Sequence, residues 1–204
     1  MKGSVSTLLR SYGLGGVVSL TIDLVATRLL VPGARLIHRP AHIRGKRWID
    51  FGTQLTTGRG LRIDAFGSEN TEGKLVRFGE NVSINDYVHI GAIQSVVIGD
   101  RVLIGSKVLI TDHNHGSYGM LGEHSDPRVP PLLRQLSSAP VAIEEDVWIG
   151  EFVSILPGVR IGKGSIIGTL STVSRDIPPY CVAAGSPARI LKRYNFSTGM
   201  WEPG

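Results

Sequence analysis

At 204 residues the chain is long enough for one domain with a real core, and its single cysteine, Cys181, excludes an internal disulfide and is compatible with a reducing cytosol. The formal charge of +5 points to an anionic partner such as a phosphorylated cofactor, a charged glycan or a membrane surface, although a merely solvated surface explains it equally well. Lys and Arg are scattered, with no aromatic-interleaved basic stripe, which argues against nucleic acid.

In chain order, residues 1–40 show no repeat. The stretch from Ser4 to Leu30 mixes Leu, Val and Ile with Gly13, Gly15 and Gly16, and reads as one or two short helices. Asp23 and Arg28 interrupt any spanning run, so the segment is expected to pack on the rest, bind a neighbouring subunit or lie on a membrane surface. A weak six-residue beat then runs through Ile43, Ile49, Leu55 and Leu61, followed by a polar insertion over 65–74. The strong beat falls on Phe78, Ile84, Ile90, Ile98, Ile104 and Ile110. It resumes at Ile143, Ile149, Ile155, Ile161, Ile167 and Val173. Two positions ahead of most beats stands a valine, as at Val82, Val102 and Val147.

Six residues match neither a helix nor simple strand alternation. V-x-I is a short strand whose two apolar side chains share a face, and the Gly, Asn, Asp and Ser residues between suit corners, with Gly or Asn expected where φ is positive. Strand and corner in alternation give a prism of parallel strands, each about 4.8 Å from its neighbour in the next coil. Two interruptions stand out in the strong beat. The step from Ile90 to Ile98 is eight residues, and 111–140 carries no beat but holds Pro127, Pro130, Pro131 and Pro140. A long stiffened loop in a compact domain suggests function. In the tail, Ser186 and Pro187 predict the start of a capping helix whose Ile190 and Leu191 cover the open end of the last coil. The expected organisation is a helical segment over 1–40, an all-β coil over 41–185 with its inserted loop at 111–140, and a cap and tail over 186–204.

The long loop opens with ITDHNHG, Ile110 to Gly116. An imidazole there can accept a proton near neutral pH. Asp112, His113 and His115 are also metal-ligand types, but one loop supplies only a partial set without CxxC or HExxH support, so no metal is expected. Histidines that only form surface hydrogen bonds are the plain alternative.

The stretches INDYVHIGA, IGSKVLITDHNHG, DVWIGEFVSILPGVRIGKGSIIG and DIPPYCVAAGSPARIL resemble the hexapeptide-repeat O-acetyltransferases, over about residues 41–193. Within them the similarity is to the galactoside and maltose acetyltransferases and the lipopolysaccharide and capsule biosynthesis branch. The resemblance implies a left-handed parallel β-helix, acetyl-CoA as co-substrate, a sugar or glycan acceptor and a homotrimer. It implies His115 as general base with His113 as the runner-up, Asn85 lining the reaction site, and His113 and Asp112 otherwise as supporting or acceptor-facing residues. Acetyl-CoA contacts carried over by register fall on Glu151, Thr169, Ser174, Arg175, Arg189 and Lys192. Glu151 departs from the family's usual small residue, and the family's acidic acceptor contact falls near Ile93, so the acceptor site differs. Trp148 is expected at a corner or interface. No acyl-enzyme is required, and Cys181 is not expected to be a nucleophile. Surface-polysaccharide or lipopolysaccharide biosynthesis is the implied setting, in the cytoplasm, with the apolar N-terminus mildly favouring the inner face of the membrane. The rival functions are N-acetylation of an amino sugar and a metal-dependent hydratase of the γ-carbonic anhydrase kind using His89, His113 and His115.

Overall fold

The computed structural model describes residues 5–118 and 124–204. Residues 1–4 and 119–123, which fall in the expected N-terminal helical segment and in the long loop, lie outside the described residues. The V-x-I pairs form very short strands, and each pairs in parallel with the strand one turn further on. Ser83–Ile84 lies between Thr56–Thr57 and Leu103–Ile104, for example, with Ile84 opposite both Thr57 and Ile104. Sheets of 9, 6 and 5 strands result, and the chain visits them in rotation. The first face runs through Leu36–Ile37, Thr56–Thr57, Ser83–Ile84, Leu103–Ile104, Trp148–Ile149 and Ile166–Ile167. The second runs through His42–Arg44, Arg62–Ala65, His89–Ala92, Leu109–Thr111, Ser154–Ile155 and Thr172–Val173. The third comprises Ile49–Asp50, Val76–Phe78, Val96–Ile98, Val141–Ile143 and Arg160–Ile161.

Each coil buries its beat residues against the coils on either side. Ile90, Ile104, Ile110, Ile149, Ile155 and Ile161 are wholly inaccessible, each contributing about 1.5–3 kcal/mol by burial. The register explains why the beat is weak near its start. Ile49 lies opposite Val76, so Ile49, Leu55 and Leu61 belong to the valine column. The isoleucine column there is filled by Phe51, Thr57 and Ile63, and the buried Thr57 hydroxyl lacks a partner among the described residues.

Two expectations are corrected. Positive φ at the corners is not reserved for Gly or Asn: Tyr87, Lys107, Phe152 and Leu170 take φ of 58°, 59°, 56° and 60°. Such a residue costs about 1–2 kcal/mol. It is held by its own N–H, which bonds back one coil, as from Lys107 to Asp86 O at 2.8 Å and from Phe152 to Ser106 O at 3.0 Å. The tail forms no helix. Cys181–Gly185 extends the first face, and Ala188–Asn195 folds back antiparallel on it, followed by Met200–Pro203. The open edge of the sheet supplies unpaired backbone groups that a strand can satisfy and a helix cannot. Ser186 Oγ accordingly bonds Thr172 Oγ1 at 2.9 Å instead of capping a helix, and Ile190 still packs against the core.

The N-terminal helix α1 is Val5–Leu30, broken at Gly13 (φ 65°, ψ 175°). It is tied to the coil along its C-terminal half, where Ser19 Oγ accepts from Arg59 Nη2 at 3.2 Å. Asp23 takes His38 Nδ1 and Arg39 Nε, each at 3.0 Å, and Thr27 Oγ1 accepts the Ile37 N–H at 2.9 Å. Leu14, Val18 and Ile22 are exposed.

The three breaks in the beat fall on one edge. The insertions after Arg62–Ala65, His89–Ala92 and Leu109–Thr111 all leave the second face and return on the third, in three consecutive coils. The edge between the first and second faces is crossed without any insertion in every coil.

Candidate active site

The broken edge is assembled around Asp112. This carboxylate is fully buried and accepts the backbone N–H groups of Ile93, Gln94 and Ser95 at 3.0, 2.7 and 2.7 Å. It therefore straps the eight-residue step of one coil to the long loop of the next. His113 adds its Nδ1 to the same carboxylate at 2.9 Å. Phe66, from the first insertion, meets the His113 ring edge-on at 6.0 Å. A side chain at Gly91 would press on the His113 ring, with its Cβ 3.3 Å from Cε1. All three breaks thus converge on one imidazole.

The long loop has structure of its own. His113–His115 pairs antiparallel with Leu136–Ser138, with His115 opposite Leu136. Ala139 N–H returns to Asp112 O at 2.9 Å, closing the base of the hairpin. His113 and His115, two residues apart in a strand, project to the same side. His113 is half-buried and held, whereas His115 is exposed and its ring has no hydrogen-bond partner among the described residues. Asp112, its lone pairs filled from within, supports the site and does not face an acceptor.

The other predicted residues lie elsewhere. Asn85 sits at an exposed corner on the plain edge, between the first and second faces. Its row along that edge also holds Gly58, Gly105, Gly150 and Gly168, with His38 and Ala184 at the two ends. The coils approach so closely there that a Cβ on Gly150 would lie 2.7 Å from Thr169 N. Glu151 and Thr169 are exposed beside this row. Ser174 and Arg175 are on the broken-edge side of the last coil, while Arg189 and Lys192 lie on the returning strand of the tail. Neither Arg175, Arg189 nor Lys192 has an acidic partner among the described residues. One chain therefore does not bring the predicted site together. Asn85 and His115, like the two groups of cofactor residues, stand on either side of the second face, which spans roughly 15–20 Å at ~3.3 Å per residue.

Cys181 is buried, and burial pushes its thiol up, which disfavours the thiolate that a nucleophile needs. Trp148 stands exposed on the outside of the first face. His89 turns to Asp64 at 3.3 Å while His113 turns to Asp112, so the histidines of the hydratase reading have separate partners in the chain. Sequence reading missed one cluster. Asp64 lies among His42, Arg44, Arg62 and His89 on the outside of the second face, and only strand register places those residues side by side.

The family model described as bacterial transferase hexapeptide (six repeats) matches residues 140–175. The chain is 46% identical over 195 residues, 96% of it and 97% of the relative, to an Escherichia coli K12 protein provisionally assigned as the lipopolysaccharide biosynthesis O-acetyl transferase WbbJ. Galactoside O-acetyltransferase of the same organism is 37% identical over 60% of this chain and 56% of its own length. Among solved structures, a maltose O-acetyltransferase from Clostridium difficile 630 superposes with a TM-score of 0.57 at 28% identity, covering 72% of this chain and 71% of its own. A hexapeptide-repeat acetyltransferase from Vibrio cholerae in complex with acetyl coenzyme A gives 0.54 at 25%, covering 96% and 93%. The chain belongs to the hexapeptide-repeat acetyltransferase family.

Proposed function

We propose that this protein is an acetyl-CoA-dependent O-acetyltransferase that acts on a sugar hydroxyl in lipopolysaccharide or surface-polysaccharide biosynthesis. The observation that carries this reading is the exposed ring of His115, without a hydrogen-bond partner among the described residues, on a hairpin that Asp112 locks to the rigid coil. His115 accepts the proton of the attacking hydroxyl as its oxygen bonds to the thioester carbonyl carbon. The amide of Asn85 or a backbone N–H stabilises the oxyanion. The C–S bond then breaks, and the thiolate of CoA takes the proton from His115. The glycine row leaves a flat strip beside Glu151 and Thr169 along which the pantetheine arm can lie, and Arg175, Arg189 and Lys192, without an acidic partner among the described residues, suit its phosphates. Glu151 keeps this contact different from that of relatives with a small residue here.

The split of both residue sets across the second face supports a site between two copies, the plain edge of one meeting the broken edge of the next. Repeated head to tail, that contact closes a ring, and the family resemblance makes the ring a homotrimer. Leu132 and Leu133 on the long loop, 83% and 73% exposed, give it an apolar surface to bury there. The winding of the coil is read as left-handed. The bare apolar surface of α1, whose Ser6–Leu30 stretch is only 11% buried over its most apolar window, supports contact with the inner face of the membrane from the cytoplasm. The test is thiol release from acetyl-CoA across a panel of sugars and surface glycans. Release that requires a glycan supports the reading, and release unaffected by any acceptor refutes it.

A further inference from the structure

The outside of the second face carries charge that the acetyl-transfer reading leaves unused. Parallel register lines up His42, Arg62 and His89 in one row and Arg44, Asp64 and Gly91 in the next. Asp64 is 1% exposed, yet it stands among four side chains that are all at least partly open to solvent. Its Oδ2 accepts Arg62 Nε at 2.6 Å and lies 3.3 Å from His89 Nε2. Its Oδ1 has no hydrogen bond among the described residues, with Arg44 Nε at 3.5 Å and His42 Nε2 at 4.0 Å. Burial pushes the Asp64 carboxyl up, but the hydrogen bond and charge of Arg62, with His89 and Arg44, outweigh it and hold the group below the usual carboxylate range. One carboxylate thus holds the Arg62 guanidinium through its Nε and draws Arg44 beside it as an ion pair. The Nη forks of Arg44 and Arg62 have no hydrogen-bond partner among the described residues. A guanidinium fork held in this way is shaped for a tetrahedral oxyanion.

The cluster adjoins the candidate catalytic edge. Arg44 lies over the Phe66 ring at 5.5 Å, and Phe66 in turn touches His113. Gly91 sits in register between Asp64 and Thr111, and its lack of a side chain lets the His113 ring pack close to the backbone there, which brings the cluster alongside the imidazole. We propose that the solvent-facing forks of Arg44 and Arg62 seat the acceptor's anionic group, a phosphate or diphosphate ester, with His42 and His89 at the rim and Asp64 as a positioning residue. The inference rests on the O-acetyltransferase reading and adds to it that the acceptor saccharide is phosphorylated. A soluble sugar phosphate, a nucleoside-diphosphate sugar and a polyprenyl-diphosphate saccharide share this chemistry.

The test measures kcat/KM by thiol release with the full chain, comparing a neutral methyl glycoside with the corresponding sugar 1-phosphate, nucleoside-diphosphate sugar and vesicle-borne polyprenyl-diphosphate saccharide. Wild type is expected to prefer at least one phosphorylated form, and which one identifies the source. Arg44→Gln with Arg62→Gln should cut the phosphorylated-to-neutral ratio by about 10-fold to 100-fold. Arg77→Gln, on the third face, should leave the ratio unaltered. A wild type without preference, or a ratio untouched in the double variant, overturns the proposal. Calorimetry with inorganic pyrophosphate provides a second reading independent of turnover. Saturable binding to wild type that is lost in the double variant upholds the subsite even where no acceptor is acetylated, in which case the transferase reading alone falls. No binding to wild type overturns the subsite.

Discussion

Two edges of the same prism have diverged in opposite directions. The plain edge repeats one corner in every coil, and its row at Gly105, Gly150 and Gly168 is nearly all backbone. The broken edge departs from the repeat in three successive coils, and its insertions bring together Phe66, Asp112, His113 and His115. A uniform strip suits a long ligand with a fixed shape, such as a pantetheine arm. A reacting centre needs unlike groups at one point, which a strict repeat cannot supply. The regular edge is therefore assigned to affinity and the irregular one to chemistry, and each assignment can be broken separately.

The largest effect is expected at the tip of the broken edge. His115→Ala should lower kcat by about 10²-fold to 10⁴-fold while calorimetric acetyl-CoA binding is retained; near-normal turnover would remove this residue from the mechanism. Asp112→Ala leaves the three backbone N–H groups of Ile93, Gln94 and Ser95 without their acceptor. It should destabilise the fold by about 3 kcal/mol in denaturant titrations and depress kcat through the displaced hairpin. If kcat survives, the strap is not what positions the imidazole. On the opposite side, Arg189→Gln with Lys192→Gln should raise the Kd for acetyl-CoA about 10-fold and spare kcat. A kcat effect there would blur the division of labour between the edges.

The smallest effect is a pH dependence. The Asp64 carboxyl is held below its ordinary 3.8 in the folded chain, so its ionised form adds stability above that value. That contribution is lost as the pH falls through the folded value. The Tm difference between wild type and Asp64→Asn should accordingly be largest at neutral pH and shrink in acid below 3.8. A difference independent of pH would show that the variant acts through packing alone.

Much of this architecture was readable from the chain. The beat is imposed by the core column, so Phe78 to Val173 announce their own burial, and the long gap after Ile110 locates the hairpin. The tail was not readable, because Ser186-Pro187 can open a helix or a turn, and only the unsatisfied edge of Cys181–Gly185 decides between them. The corners at Tyr87 and Phe152 were hidden for a related reason: their left-handed backbone is enforced by the coil below, not by their own preference. The Asp64 cluster was invisible because its members come from three separate strands, and nothing local in sequence marks which residues stacking will make neighbours.

The closed base of the histidine hairpin has a consequence for how such proteins diversify. Ala139 N–H meets Asp112 O, and the ladder resumes at Val141 as though nothing had intervened. What lies beyond that clasp is a detachable cassette. Its length, and its side chains other than His113 and His115, can drift or be exchanged between relatives by grafting without a change in the pitch of the scaffold. New acceptor preferences can then arise by swapping a loop while the machinery for the donor is inherited intact.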